Sequence, residues 1–417
     1  MFDLPYCRYE NLVGDYFVAT YIISGLDYSS AMKKVGQFAV GQSVGTWVVV
    51  PSITNEMIEK YQARVVEVDV IAKTDEVEDF SVLLKVAFPS ANFGGSFTMM
   101  LTSMVGNDVS TALKVRLIDV EMKGNAAKDF LSPNKDMKDL RLLAKVEEER
   151  PLVLNMIKPC LGFTPEAGAK LFREVALGGV DLIKDDELLG NTDYNSVAKR
   201  TKAYLSAAKQ AYEVTGKNTI YLPNISGTPK SLLDNAKAAI DAGAKACLVN
   251  YVLGGIDSAK DLVEEVKDKL FIMGHYAGVA CFDGEKSGIS DNVMLGILPR
   301  LAGLNAIMTM YPNFNDSSSL FNFIKTVQAQ RLAIPNLNPI ITAVGGGITP
   351  INQVQVQNMI SNDSIIGIGG AIQGHPLGTT IGAKTAMNAV KATFNKISLE
   401  EAAKDDEGLK TALNLWK

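Results

Sequence analysis

The segment 178–190, GGVDLIKDDELLG, contains an apolar run that ends in four ionisable residues, Lys184, Asp185, Asp186 and Glu187. Such groups are costly to bury unless they are paired or bind a cation. Lys184 and Asp186 are two residues apart, so on a strand their side chains project to the same face. Converging carboxylates repel one another unless a cation lies between them, and their hard oxygen atoms suit Mg²⁺. The cluster therefore predicts a magnesium site.

Lys184 has two interpretations within this cluster. It is either an ordinary salt-bridge partner of Asp185 or Glu187, an arrangement common among buried lysines, or a carbamate. In the second case desolvation lowers the pKa of the amine. The neutral amine then takes up CO₂ and becomes an anionic oxygen ligand. The residues alone leave both interpretations open.

From residue 151 onward, eight short apolar runs, including the one just described, predict the strands that position these groups. Amphipathic stretches such as 164–179 and 229–244 separate them. This alternation is typical of parallel strands buried on both faces, and eight units in about 250 residues predict a closed (β/α)₈ TIM barrel. An open doubly wound sheet is the alternative, but no GxGxxG follows the first strand. The predicted strands are 151–159, 180–186, 219–226, 246–252, 270–276, 306–312, 339–347 and 364–370.

The N-terminal part has a different pattern, which predicts a smaller α+β domain of the ferredoxin-like type in front of the barrel. Its predicted strands are 16–24, 45–51, 63–72, 80–89 and 113–122, with helices at 27–41 and 95–106. Proline, asparagine and charges cluster at 128–140, which indicates a linker. The fold class is therefore α/β, with domains at 1–135 and 136–417.

Polar residues concentrate where the predicted barrel strands end, and the carboxyl ends of barrel strands form the active-site mouth. Glycine-rich segments end the seventh and eighth strands, at 345–347 and 367–370. Backbone N–H groups exposed by glycine bind phosphate, although tight turns also require glycine. The polar residues at the other strand ends are Lys158, Lys184, Asp186, Glu187, Asn224, Asn250 and His275.

Composition excludes several classes of protein. The net charge of −5 and the lack of a basic tract argue against nucleic acid as a partner. No apolar run reaches membrane-spanning length, and the N-terminus lacks the pattern of a signal peptide. The expected location is the cytoplasm. Four scattered cysteines without a CxxC pair predict neither structural zinc nor a disulfide framework.

Five ordered segments resemble the large chain of the RuBisCO superfamily. GGVDLIKDDE resembles the segment of the activating lysine, and NMIKPCLGFTPE that of the proton-transfer lysine. VGTWVVVP and LTSMVGN are similar to N-terminal segments that reach the active site of a neighbouring subunit. GGAIQGHPLG resembles the phosphate loop after the eighth strand. These segments lie at 178–187, 155–166, 44–51, 101–107 and 369–378.

The resemblance implies a role for each matching residue. Lys184 would be carbamylated with CO₂ and would bind Mg²⁺ together with Asp186 and Glu187. Lys158 would be a general acid or base, and His275 would line the substrate site. The partner subunit of a homodimer, whose active site lies at the subunit interface, would supply the substrate-binding residues Thr46, Trp47 and Asn107. Phosphate would bind at four glycines, Gly346, Gly347, Gly369 and Gly370.

Several positions depart from the pattern of carboxylases. Tyr276 replaces a phosphate-binding arginine, and Met308 replaces a histidine. Cys160 and Gly41 stand where a second lysine and a glutamate are expected. The loop after the sixth strand has no lysine before Lys325, and such a lysine stabilises the transition state of CO₂ addition. The chain therefore resembles the RuBisCO-like, form IV members of the family, which are not carboxylases.

The apparatus that remains suits enolisation of a keto-sugar monophosphate. The resemblance implies the 2,3-diketo-5-methylthiopentyl-1-phosphate enolase activity of methionine salvage. That enolase has a lysine base where this chain has Asn107. The alternatives are a decarboxylase or transcarboxylase of a phosphorylated 3-oxo acid, a 5-methylthioribulose-1-phosphate isomerase, and a metabolite sensor or stress protein without catalysis.

Overall fold

The structure is a computed structural model that describes residues 4–24, 28–46, 48, 50–71, 81–107, 114–284 and 287–416. The chain forms two compact units. The first comprises Met1–Ser132, Gly278–Leu301 and Leu332–Asn338, and the second comprises the remaining residues. The domain boundary between residues 135 and 136 stays a prediction. None of the helices that the structure describes has the length and apolar character needed to cross a bilayer.

The first unit is built on a five-stranded sheet. Its four long strands pair antiparallel, and a two-residue strand, β10 (Gly288–Ile289), pairs parallel with one edge. The order is β10-β4-β1-β3-β2. The long strands are β1 (Tyr16–Ser24), β2 (Arg64–Ile71), β3 (Ser81–Pro89) and β4 (Lys114–Lys123), and the α-helices are Tyr28–Gly41, Asn55–Tyr61 and Phe97–Val105. The predicted α+β character is confirmed.

The strand predicted at 45–51 is wrong, because none of its described residues lies in a strand. The chain turns at both ends of this segment. The Gly45 N–H donates to the Val40 carbonyl at 2.9 Å, and the Ile53 N–H donates to the Val50 carbonyl at 3.1 Å. Pro51 has no N–H for a ladder. The β propensity of three consecutive valines is therefore overridden by the turns around them.

The second unit is a barrel of eight parallel strands, and the predicted (β/α)₈ architecture is confirmed. Its strand order is β7-β6-β5-β13-β12-β11-β9-β8. A parallel bridge between Asn224 and Leu248 closes the ring. The strands are β5 (Leu152–Met156), β6 (Leu182–Lys184), β7 (Ile220–Leu222), β8 (Ala246–Val249), β9 (Phe271–Gly274), β11 (Ala306–Met310), β12 (Ile341–Gly345) and β13 (Ser364–Gly367).

Helices cover the outside of the barrel, and several of them begin at residues suited to capping a helix N-terminus. Thr164, Ser196 and Thr228 cap three of them by accepting a hydrogen bond from a first-turn N–H. The longer helices of this unit are Met137–Ala144, Pro165–Leu177, Val197–Thr215, Pro229–Asp241, Ile256–Val266, Ser317–Arg331, Gln353–Met359, Thr379–Phe394 and Glu407–Trp416.

Side chains alternate along each barrel strand between two apolar layers. Leu182 and Leu222 belong to the cluster that fills the barrel interior. Ile183 and Tyr221, one residue away, belong to the cluster between the strands and the helices. This two-residue period decides which polar side chains at the strand ends face the barrel mouth and which face the helices.

Candidate active site

Lys184 ends β6 and has the same parity as Leu182, so its side chain faces the barrel interior. It is fully buried. Its Nζ lies 3.3 Å from Glu187 Oε2 and donates to the Asp185 carbonyl at 3.0 Å. Of the two predicted salt-bridge partners, Glu187 is therefore the one in contact.

Burial lowers the pKa of Lys184, while the nearby Glu187 and Asp186 charges oppose this shift. Water is excluded from the amine, and the ammonium form loses hydration that one carboxylate only partly replaces. The neutral amine is therefore more abundant at neutral pH than for an exposed lysine. A neutral amine is the form that reacts with CO₂.

Lys158 follows β5 and pairs with the other carboxylate of the cluster. Its Nζ lies 2.5 Å from Asp186 Oδ2 and 3.2 Å from Cys160 Sγ. Partial burial is the largest single influence and opposes the charge on Lys158, but the hydrogen bonds to Asp186 and Cys160 and the Asp186 charge together outweigh it and raise the lysine pKa. Burial is also the largest single influence at Asp186, but the hydrogen bonds from Lys158 and the Leu188 N–H and the charges of the two lysines together outweigh it and lower the pKa of that carboxyl. The two side chains form a charged pair at neutral pH.

His275 follows β9 and is buried beside Glu187. Its Nδ1 accepts a hydrogen bond from the Ala277 N–H at 3.1 Å, which assigns the proton of the neutral ring to Nε2. Nε2 lies 3.4 Å from Glu187 Oε2. Burial, and then the charge of Lys184, lower the pKa of His275 from 6.5 to about 3. The imidazole is therefore neutral at physiological pH and presents an N–H.

This histidine predicts a pH dependence of stability. Between pH 6.5 and 3 the unfolded chain binds a proton at His275 that the folded chain does not, so the unfolding free energy is complete above pH 6.5 and falls as the pH decreases. We expect the wild type to lose about 2 kcal/mol more than His275→Gln between pH 7 and pH 5. Urea denaturation in EDTA would measure both slopes. Equal slopes would contradict the assignment.

Asp185 has the opposite parity and faces the helices. Its carboxylate accepts hydrogen bonds from Arg200 Nε at 2.8 Å, from the Tyr221 hydroxyl at 2.7 Å and from the Asn224 N–H at 2.8 Å. Arg200 lies on the helix Val197–Thr215, and it is fully buried. Its other N–H groups donate to the carbonyls of Gly190, Asn195, Leu189 and Asn224. The pair therefore ties together the loops that follow β6 and β7.

Asn224 and Asn250 hold the backbone that carries the cluster. The Asn224 side-chain amide donates to the Glu187 carbonyl at 3.0 Å, and that of Asn250 donates to the same carbonyl at 2.9 Å. Both asparagines were predicted as polar strand ends. Their contacts assign them to positioning Glu187.

One cavity of about 580 Å³ lies at the carboxyl ends of the strands, and most of the site residues predicted in the barrel line it. Gly346 and Gly347 have φ values of 97° and 74°, which favour glycine. A Cβ added at Gly347 or Gly370 would meet no atom within 4 Å. The predicted residues that line the cavity are Lys158, Lys184, Glu187, His275, Gly346, Gly347, Gly369 and Gly370. Asp186 is not one of these lining residues, but its carboxylate pairs with Lys158, which is.

Thr46 and Asn107 do not line this cavity. Thr46 and Asn107 belong to the first unit, and Trp47 lies outside the described residues. The proposed contribution of all three to a second subunit's site stays a prediction.

Sequence reasoning missed two cavity residues near the C-terminus. Leu415 and Trp416 line the cavity. His375 also contacts this helix, since its ring centroid lies 6.1 Å from that of Trp416 and its Nε2 lies 3.1 Å from the Gly408 carbonyl. No local pattern connects residue 416 to strand ends more than 45 residues away in sequence.

Two models of known protein families match this chain. The family described as ribulose bisphosphate carboxylase large chain, catalytic domain, matches residues 138–416. The N-terminal domain of the same large chain matches residues 8–124. The chain therefore belongs to the ribulose bisphosphate carboxylase (RuBisCO) large-chain family, and the predicted resemblance is confirmed.

Individual relatives show which members of this family the chain is similar to. A ribulose bisphosphate carboxylase-like protein of Archaeoglobus fulgidus is 34% identical over 91% of this chain and 88% of its own length. A 2,3-diketo-5-methylthiopentyl-1-phosphate enolase of Bacillus licheniformis is 31% identical over 96% of this chain and 97% of its own. The crystal structure of a rubisco-like protein from Alicyclobacillus acidocaldarius is 30% identical, with a TM-score of 0.88 over 96% of this chain and 100% of that one.

Proposed function

We propose that this chain is a Mg²⁺-dependent RuBisCO-like enolase that enolises a keto-sugar monophosphate, with 2,3-diketo-5-methylthiopentyl 1-phosphate as its substrate. The observation that carries the proposal is the buried amine of Lys184 beside Glu187, in one cavity with Lys158 and two glycine-rich loops. Two relatives named as that enolase match this chain over 97% of their own length.

The donor set fits Mg²⁺ on one condition. No group of three His, Cys, Asp or Glu residues suited to a metal occurs in the part of the chain that the structure describes. Asp186 and Glu187 supply two hard oxygen donors, and a carbamate on Lys184 would supply the third. The lowered pKa of Lys184 favours that modification. Mg²⁺ held there would supply Lewis-acid polarisation of a substrate carbonyl.

Two lysines divide the proton transfers. The raised pKa of Lys158 keeps its side chain an ammonium at neutral pH. An ammonium stabilises developing negative charge on a substrate oxygen and donates a proton to it. Removal of the proton from carbon requires a base, and we assign that step to the carbamate oxygen of Lys184. The neutral His275 N–H provides a further donor to a substrate oxygen.

The rest of the cavity suits a substrate with one phosphate and one apolar end. The glycine-rich loops allow phosphate oxygens to approach backbone N–H groups closely. Met156, Met308 and Tyr276 add apolar surface, which suits a methylthio group. The only lysines or arginines among the cavity's described residues are Lys158 and Lys184, so a second phosphate has no dedicated cation.

We further propose a homodimer in which Thr46, Trp47 and Asn107 serve the active site of the other subunit. A solved relative, the dimeric archaeal Rubisco of Hyperthermus butylicus, supports a dimer. It is 25% identical, with a TM-score of 0.88 and coverage of 99% of both chains.

NMR-monitored reaction of 2,3-diketo-5-methylthiopentyl 1-phosphate tests the proposal. We expect the protein with Mg²⁺ and bicarbonate to form the enol and to exchange the adjacent carbon-bound proton with solvent deuterium. Protein treated with EDTA in CO₂-free buffer is the matched control and should lose both signals. No turnover by folded, dimeric protein in the complete buffer would refute the assignment.

We also expect no carboxylation of ribulose 1,5-bisphosphate. Tyr276 occupies the position of a phosphate-binding arginine, and the loop before Lys325 has no lysine to stabilise added CO₂. Incorporation of ¹⁴C-labelled CO₂ into acid-stable product would measure this, with an authentic carboxylase as the positive control. Incorporation above the boiled-protein background would contradict the prediction.

Asn107 favours a second candidate, a decarboxylase of a phosphorylated 3-oxo acid. The resemblance implies a lysine at this position as the base of the enolase. If loss of CO₂ generates the enediolate instead, no base is needed at this position, and an asparagine is compatible with the reaction. Release of CO₂ from such acids, without proton exchange on the diketone, would select this function.

A further inference from the structure

A second cavity, of about 350 Å³, lies at the opposite end of the barrel strands from the candidate active site. Thr219 and Ile220, at the start of β7, line it, and so does Lys245, which directly precedes β8. One wall comes from the helix Val197–Thr215 and another from the end of the helix Met137–Ala144. No residue that the structure describes lines both this cavity and the larger one.

Charge distinguishes this second cavity from the rest of the chain. Lys145, Lys209 and Lys245 line it, and no aspartate or glutamate of the described part of the chain does, although the whole chain carries a net charge of −5. Among the described residues, none of these three lysines forms a salt bridge. Three like charges around one hollow repel one another, and an anion relieves that repulsion.

The remaining lining is apolar and aromatic. Leu143, Leu205 and Ala208 contribute apolar surface, and Tyr212 contributes a ring that is 43% exposed. Lys145 Nζ lies 5.4 Å from the centroid of that ring, a cation–π distance that keeps this ammonium beside the aromatic face. The volume lies within the range of about 300–1,000 Å³ found for small-molecule sites.

We propose that this cavity binds a small organic phosphate carrying at least two negative charges. The three lysines hold the phosphate oxygens through charge-assisted hydrogen bonds, and the apolar wall with Tyr212 contacts the organic part. This site is separate from the substrate site and does not depend on the reaction proposed above.

Isothermal titration with adenosine 5′-diphosphate at low ionic strength tests the proposal on the full chain. We expect the triple variant Lys145→Ala, Lys209→Ala, Lys245→Ala to bind at least about tenfold more weakly than the wild type, because three charge-assisted contacts are lost. All three side chains are exposed, and surface substitutions leave folding nearly unchanged.

A second triple variant, Lys202→Ala, Lys230→Ala, Lys237→Ala, is the matched control. It removes the same charge from exposed positions that do not line the cavity, so its affinity should stay within about twofold of the wild type. Tyr212→Ala should weaken the binding of adenosine 5′-diphosphate more than the binding of inorganic pyrophosphate. Equal losses in the two triple variants, or no binding to the wild type, would overturn the proposal.

Discussion

Replacing Lys184 by methionine is expected to abolish enol formation while the free energy of unfolding changes by less than about 1 kcal/mol. The variant loses the amine that would become the third oxygen ligand beside Asp186 and Glu187. Carbonyl polarisation by a metal contributes several kcal/mol, so we expect the rate to fall by about 10³-fold or more.

Stability should behave differently because Lys184 is a costly residue to bury. Its amine is fully buried and its pKa is lowered by desolvation, which means that folding works against its charge. Methionine has a similar length and no charge, so the hydration penalty disappears. The partner, Glu187, is 28% exposed and keeps contact with water after the ammonium is removed. Loss of the bond to the Asp185 carbonyl roughly offsets the gain.

Enol formation by NMR and urea denaturation would measure the two effects on the same preparation. Lys199→Met is the matched control, since Lys199 is exposed on the helix Val197–Thr215 and both properties should stay at wild-type values. A carbamate ¹³C signal from labelled bicarbonate should appear in the wild type and be absent from Lys184→Met. A variant that keeps full activity would refute the proposed metal site.

The barrel and its mouth follow from local sequence features because each strand is short and buried on both faces. The eight apolar runs all became strands, with ends zero to four residues inside the predicted ranges, as at β6 (Leu182–Lys184) against 180–186. The two-residue period also explains why Lys184 faces the barrel interior with Leu182. Strand parity is local, so it can be predicted from a single segment.

Contacts between distant segments could not be predicted in the same way. Parity turns Asp185 toward the helices, but only the packed structure identifies Arg200 as its partner. The lysines of the second cavity come from three segments, with no common motif. The failed strand at 45–51 shows the reverse case, in which a strong local propensity lost to turns formed with Val40 and Ile53.

Replacing Arg200 by methionine is expected to lower the free energy of unfolding by about 3–5 kcal/mol, since it leaves the fully buried Asp185 carboxylate without its counter-ion. The carbonyls of Gly190, Asn195 and Asn224 lose donors at the same time. Tyr221→Phe removes one hydrogen bond to the same carboxylate and should cost about 1.5–3 kcal/mol. Urea denaturation at pH 7 measures each change.

A double variant, Asp185→Asn with Arg200→Met, separates the unpaired charge from lost packing. If the unpaired carboxylate is the main cost, the double variant should be more stable than Arg200→Met alone. Lys199→Met, one residue earlier on an exposed position, should change stability by less than about 0.5 kcal/mol. An Arg200→Met protein as stable as this control would contradict the role of the pair. Because Asp185 lies between Lys184 and Asp186 in the chain, any shift in its position moves both, and enol formation should fall with stability.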